Sequence, residues 1–248
     1  MGVARTLPAV RPTFGVVISM SKRIGFALSF VLAFSLLSIA PSSADEKIKP
    51  QKVNKSIKGE RCKPTDAIGH APTDVVIPER VLTPREMART MKQIVLDTNC
   101  GDIVIQPNYR ARVALTALNA LIRGGFYDMS LCHRLTTEKL YVLQCGDPTA
   151  TGRGGPNFTY GVENLPELVD GNYPEGTVAI ANSGTPNSNG SQFFIVYQDT
   201  TLPPSYTIVG RVIRGIDIVK MIAKDGTKNG SGDGAPKQVI AIERAWIR

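Results

Sequence analysis

The chain reads as mainly β, and three features of its sequence say so. Short runs rich in β-branched residues recur through residues 92–248, Gly- and Pro-bearing connections separate them, and only two stretches carry a helical period. Many short strands with few helices pack as an antiparallel sheet around one core. Periodicity leaves a sandwich and a barrel both open, although closure would remove the edge strands that invite aggregation.

Before that region come two segments of different character. Lys22-Arg23 precede an apolar run from Ile24 to Ala40, followed by Pro41-Ser42-Ser43-Ala44 and then Asp45-Glu46. A basic stretch, an apolar stretch and a small-residue cleavage pattern make residues 1–44 a signal peptide or a membrane anchor. The run is marginal for spanning a hydrocarbon layer of about 30 Å, so both forms stay open. Either places the protein outside the cytoplasm, secreted or anchored, with membrane contact only through this segment. Residues 45–91 are rich in Lys, Pro and Thr, punctuated by Pro50, Pro64, Pro72, Pro78 and Pro84, and read as an extended linker or arm. Ordered structure is expected to begin near Lys92.

Gln93–Leu96 and Ile103–Ile105 flank Thr98-Asn99-Cys100-Gly101 and read as a hairpin. Arg110–Arg123 has apolar residues at Val113, Ala117, Leu118, Leu121 and Ile122, with Asn108 as N-cap and Gly124-Gly125 as the stop, and reads as a helix. Strand-like runs follow at 130–135, 140–144, 177–181, 192–197 and 206–213. A second helix fits Ile216–Ala223, ending near Gly226, and Val239–Trp246 closes the chain as a strand.

Charge and cysteine usage narrow the function classes. The formal net charge of +8 is concentrated in the N-terminal third, and residues 92–248 hold 15 basic and 14 acidic side chains. The folded region therefore offers no footprint for a nucleic-acid backbone. Cys62, Cys100, Cys132 and Cys145 have no C-x-x-C spacing and the chain has two histidines, which gives poor support for a metal site. In an oxidising compartment one or two disulfides are expected, with three connectivities open. Cys132 and Cys145 flank an apparent hairpin and are the first pairing to consider; the alternative is that both are small buried hydrophobes.

Several chemistries are excluded. No G-x-x-x-x-G-K-[ST] loop is present, and Gly152-Arg153-Gly154-Gly155-Pro156 lacks the dinucleotide-binding spacing. Asn-Gly-Ser-Gln around Ser191 is not a nucleophile elbow. A hydrolase triad would need His133, which sits beside Arg134 on an expected strand and reads better as structural.

What remains is a concentration of Asn, Gln, Gly, Phe and one Arg in residues 132–160 and 179–210. Cys132-His133-Arg134 followed by Gln144-Cys145-Gly146-Asp147-Pro148 resembles the F-H-R…Q-G-G-D-P pattern of the cyclophilins. Ala181-Asn182-Ser183-Gly184 followed by Asn189-Gly190-Ser191-Gln192-Phe193-Phe194 resembles that family's A-N-x-G…N-G-S-Q-F-F, and Leu202 with Tyr206–Val212 resembles its third motif. The resemblance spans about residues 92–248. It implies a closed eight-stranded antiparallel barrel capped by two α-helices, working as a monomer on X–Pro bonds of unfolded or exported proteins without metal or cofactor.

By this resemblance Arg134 is the catalytic donor. Gln144 and Gln192 contact the substrate backbone, and Asn182, flanked by Ala181 and Ser183, aligns the peptide through its main chain. Tyr141, Val142, Phe194, Leu202 and Tyr206 line the proline pocket. The chain departs from the pattern in several places. The link from Arg134 to Tyr141 is two residues longer, and Tyr141 and Val142 stand where the family usually has Phe and Met. Thr201 stands where some members have Trp, which predicts weak binding of cyclosporin-type macrocycles; Thr185 adds a residue to its loop. Two other readings stay open. One is a proline-peptide-binding module with low turnover, the other a surface-attached protein acting through the lysine-rich stretch 47–63.

Overall fold

The computed structural model describes residues 62–248. The segment read as a signal or anchor, residues 1–44, and the lysines of 47–58 lie outside the described residues. Ten strands form one antiparallel sheet: β1 (Ile94–Thr98), β2 (Gly101–Pro107), β3 (Ser130–Leu131), β4 (Arg134–Thr136), β5 (Val142–Cys145), β6 (Thr177–Ile180), β7 (Phe193–Val196), β8 (Ile208–Arg214), β9 (Asp233–Gly234) and β10 (Ala241–Ile247). Their order is β3-β10-β1-β2-β8-β6-β7-β5-β4-β9. Without the two-residue strands β3 and β9 the count is the expected eight. The sheet curls into a half-barrel, and residues 130–136 bridge its two ends. Cys132 N–H donates to the Ile240 carbonyl on one side, and His133 N–H to the Gln144 carbonyl on the other.

Among the described residues three helices are present where two were expected: α1 (Pro84–Thr90), α2 (Arg112–Arg123) and α3 (Ile216–Asp225). The additional one is α1. Its N-cap Thr83 and Glu86 form a reciprocal capping box, Pro84 opens the first turn, and Met87 is fully buried. Asn108 does not cap α2. Its side chain accepts from Arg110 N–H, while the carboxylate of Glu163 accepts from Ala114 N–H in the first turn of that helix. The third helix lies between Gly215 (φ 89°) and Gly226 (φ 75°). A Cβ on Gly215 would run into the backbone of Asp102 and Ile103, so β8 turns into α3 only with glycine there.

Ordered structure begins well before Lys92. From Cys62 the chain runs extended against the sheet, with Lys63 N–H donating to the Asn99 carbonyl and His70 N–H to that of Pro148. A disulfide joins Cys62 to Cys100 in the β1–β2 turn. Val75, Met87 and Met91 enter the main core. The proline punctuation therefore marks an extended course along the surface, held by apolar anchors and one covalent bond.

Strand alternation divides the apolar residues into two clusters. Leu143 and Cys145 of β5, Phe193 and Ile195 of β7, and Val178 and Ile180 of β6 face the main core, with Leu115, Leu118, Val219 and Ile222 from α2 and α3. Val142, Phe194, Val196 and Ala179 face the other way, into a smaller cluster.

Candidate active site

The opposite face of β4–β7 carries the site. Arg134 pairs with Gln144 across β4 and β5, Gln144 with Phe194 across β5 and β7, and Phe194 with Ala179 across β7 and β6. Residues directly opposite in neighbouring strands project to the same face with Cβ atoms about 5 Å apart. The register alone therefore sets a guanidinium, an amide and an aromatic ring in one row.

Hydrogen bonds fix the polar half of that row. Arg134 Nη1 donates to Gln144 Oε1 at 3.2 Å, Gln144 Nε2 to Gln192 Oε1 at 2.8 Å, and Gln192 Nε2 to the Gly154 carbonyl at 2.8 Å. Gly154 belongs to a loop organised by the buried Asp147, whose carboxylate accepts from Thr149 N–H, Thr149 Oγ1 and Gly154 N–H. Burial alone would push the Asp147 pKa up; the hydrogen bonds from Thr149 and Gly154 outweigh it and hold the carboxyl below its ordinary value. A Cβ at Gly154 would collide with the Asp147 and Thr149 side chains, so the close approach needs glycine.

The apolar half surrounds Phe194. Tyr206 meets its ring edge-on at 5.4 Å between centroids, and Tyr173 lies 6.2 Å from both rings. Val142, Ala181, Leu202 and Ile208 pack in the same cluster. The Tyr173 hydroxyl accepts from Tyr206 N–H at 3.1 Å and reaches the Tyr206 carbonyl at 3.1 Å, which holds the loop that delivers Tyr206. Asn182 spends its side chain inside the protein: Nδ2 donates to Asn189 Oδ1 and the Ser205 carbonyl, and Oδ1 accepts from Gly184 N–H.

Most residues singled out in the sequence come together, and two do not. Tyr141 has the same strand parity as Leu143, so its ring packs against the main core and meets Tyr197 edge-on at 6.0 Å; it stands outside the cluster around Phe194. Ser183 lies exposed in the loop after β6, its hydroxyl on that of Thr185. Two contributors were not read from sequence. Tyr173 had no distinguishing neighbour in its Asn172-Tyr173-Pro174 context. Asp233, in a glycine-rich turn, binds Arg134 from 99 positions away.

A cleft of about 370 Å³ opens beside this network, lined by His133, Arg134, Gln144, Thr151, Gly152 and Asp233 among others. Both ring nitrogens of His133 are buried without a hydrogen-bond partner. Burial drives its pKa below the ordinary histidine value, which keeps the ring neutral near pH 7. Arg134 stays charged: its hydrogen bond to Asp233 raises an already high pKa. The four cysteines pair as Cys62–Cys100 and Cys132–Cys145, so none is available as a nucleophile. The Cys132–Cys145 bond lies in the main core and ties the residues just before β4 to the end of β5, next to Arg134 and Gln144 in the chain. No cluster of three metal-ligating side chains occurs among the described residues. The chemistry on offer is directed hydrogen bonding beside an apolar cluster.

The chain is similar in sequence and fold to known proteins. The chain is 37% identical over 215 residues to a probable peptidyl-prolyl cis-trans isomerase B of Mycobacterium leprae, a match covering 82% of this chain and 64% of that protein. It is 38% identical over 159 residues to a peptidyl-prolyl cis-trans isomerase of Arabidopsis thaliana, covering 62% of this chain and 94% of the plant protein. The solved structure of a Cryptosporidium parvum cyclophilin type peptidyl-prolyl cis-trans isomerase, in the presence of the dipeptide Ala-Pro, superposes with a TM-score of 0.54 at 27% identity. It covers 63% of this chain and 98% of that one. The family pattern described as cyclophilin type peptidyl-prolyl cis-trans isomerase/CLD matches residues 94–246, from the first residue of β1 to within one residue of the end of β10. With the row of Arg134, Gln144 and Phe194 inside that span, the chain belongs to the cyclophilin-type peptidyl-prolyl cis-trans isomerase family.

Proposed function

We propose that this protein catalyses cis–trans isomerisation of X–Pro bonds, with Arg134 as the catalytic residue. One observation carries the reading: the cross-strand row that sets the Arg134 guanidinium, through Gln144, beside the aromatic cluster of Phe194 and Tyr206. An aromatic and aliphatic surface suits a proline ring, which has no N–H to satisfy. Rotation about the bond takes the prolyl nitrogen out of conjugation and gives it a lone pair. A donor fixed at that position bonds the twisted state and has little to bond in the planar one, so it lowers the barrier selectively. The uncatalysed exchange takes roughly tens to hundreds of seconds, which leaves ample room for acceleration.

Gln144 and Gln192 hold the donor and offer amide groups to the substrate backbone. The side chain of Asn182 is committed within the protein, so its share in aligning the peptide falls to its main chain. The relative crystallised in the presence of Ala-Pro supports an X–Pro dipeptide as the minimal ligand. The test is prolyl exchange of a short peptide measured by NMR with the full chain and with Arg134→Ala. A loss of about a hundredfold in the variant, with peptide still bound, is expected for removal of one transition-state donor. Exchange no faster with wild-type protein than without it, while peptide binds, would establish the low-turnover binding module instead.

The same proposal places the protein outside the cytoplasm, acting as a monomer on exported proteins. All four cysteines are paired, which fits an oxidising compartment. The basic and apolar pattern over residues 22–44 fits export. Among the described residues no helix is long and apolar enough to cross a membrane. Thiol labelling of the protein taken from cells, before and after reduction, tests this: free thiols in the native sample would refute it.

A further inference from the structure

The catalytic guanidinium has a second partner that the reaction above does not use. Arg134 Nε donates to Asp233 Oδ1 at 2.8 Å and Nη2 to Oδ2 at 2.7 Å, a side-on fork. With Nη1 on Gln144, three of the five guanidinium N–H groups are committed, and one hydrogen on each terminal nitrogen stays available.

We infer that Asp233 is a positioning residue for Arg134, holding the guanidinium in its working orientation before substrate arrives. The inference rests on the proposed isomerase reaction and names a residue that reaction needs. An arginine side chain left free samples many rotamers, and catching it in one orientation at each turnover would subtract from transition-state binding. The fork removes that freedom in advance. Its negative charge costs little at the reacting atom, because the prolyl nitrogen gains a lone pair with no net charge. What it asks of the donor is direction.

Asp233 is itself placed by a built turn. The two-residue strand β9 pairs with β4, Asp233 opposite Thr136 and Gly234 opposite Leu135. Ser231 Oγ donates to the Asp233 carbonyl at 2.5 Å, Asn229 Oδ1 accepts from Ser231 N–H, and Thr227 Oγ1 donates to the Ser231 carbonyl. The lengthened link after Arg134 docks on the same turn, where Thr137 N–H donates to the Gly232 carbonyl at 2.8 Å. The departure that the sequence shows between Arg134 and Tyr141 and the anchoring carboxylate thus form one unit on one side of the guanidinium.

The experiment is a double-mutant cycle on the full chain: wild type, Asp233→Ala, Asp233→Asn, Arg134→Ala and Arg134→Ala/Asp233→Ala. Catalysed prolyl exchange, peptide Kd and thermal midpoint are read for each. Asp233→Ala should lower catalysed exchange about tenfold, with Kd changed less than about twofold, since misplacement acts on the transition state. Asp233→Asn keeps one acceptor and should lose less. Asp233 is exposed, so the midpoint should stay put. In the Arg134→Ala background the Asp233 change should do nothing further. Full activity of Asp233→Ala, an equal loss in both backgrounds, or a loss carried by Kd alone would each overturn the inference. If Arg134→Ala is as fast as wild type, the proposed reaction falls and the inference with it; a slow Arg134→Ala beside a fast Asp233→Ala removes only the inference.

Discussion

The two faces of strands β5 and β7 hold alternate residues of the same short segments and answer to different physics. Toward the core, Leu143, Cys145, Phe193 and Ile195 are all but sealed from solvent and have helices packed over them. Toward the outside, Arg134 and Gln144 stand partly open in a row that ends on the buried ring of Phe194, their partners supplied by loops. The inner face holds the strands in place, and the outer face uses that placement. Function here depends on register: a slip of one residue would exchange Gln144 for Leu143 and lose the row entirely.

The contrast can be attacked from either side. On the inner face, Leu143→Ala should cost about 3 kcal/mol of stability by denaturant titration, because the cavity it leaves is walled by a close-packed core. Exchange activity per folded molecule should stay near wild type, and a large specific loss would mean that the faces are not separable. On the outer face, Arg134→Ala should do the reverse, with a rate loss of about a hundredfold, near 2.7 kcal/mol, and an unchanged midpoint. Gln144→Ala comes next: it releases Nη1 of Arg134 and the amide link to Gln192, and about a tenfold loss in rate is expected from the looser donor.

The smallest effect belongs to His133, which lines the cleft beside Arg134. Unfolded, it takes up a proton near its ordinary value of about 6.5. Folded, burial holds its pKa lower. The unfolded chain therefore binds that proton first, and stability should fall as pH drops from about 7 through the ordinary histidine value, levelling off below the folded one. His133→Gln, which cannot ionise, should flatten that part of the thermal-midpoint profile while leaving the acid limb set by carboxylates. An unchanged profile would show that the ring is not held neutral.

Much of the fold was readable because β-branched runs and turn residues are local signals; each strand of four or more residues lies within a few positions of its sequence reading. The helix α1 was missed although Thr83-Pro84-Arg85-Glu86 spells a capping box, since the surrounding prolines argued for a linker and only the burial of Met87 and Met91 decides otherwise. In the site, Arg134, Gln144 and Phe194 were legible through linked motifs. Tyr141 was assigned to the pocket by resemblance, where parity with Leu143 turns it toward the core. Asp233 could not be read at all. Its role exists only because a two-residue strand pairs with β4 across 99 positions, and nothing in Gly-Ser-Gly-Asp-Gly marks that.

The Cys62–Cys100 bond has a consequence for how the protein survives a cut. Arg80 on the extended arm, and Arg85 and Arg89 on the exposed side of α1, present basic sites to a trypsin-like protease. A break at any of them leaves everything upstream still joined, through Cys62, to the β1–β2 turn. Under oxidising conditions a nicked molecule would migrate as one species and keep its N-terminal portion; only reduction would let the pieces part.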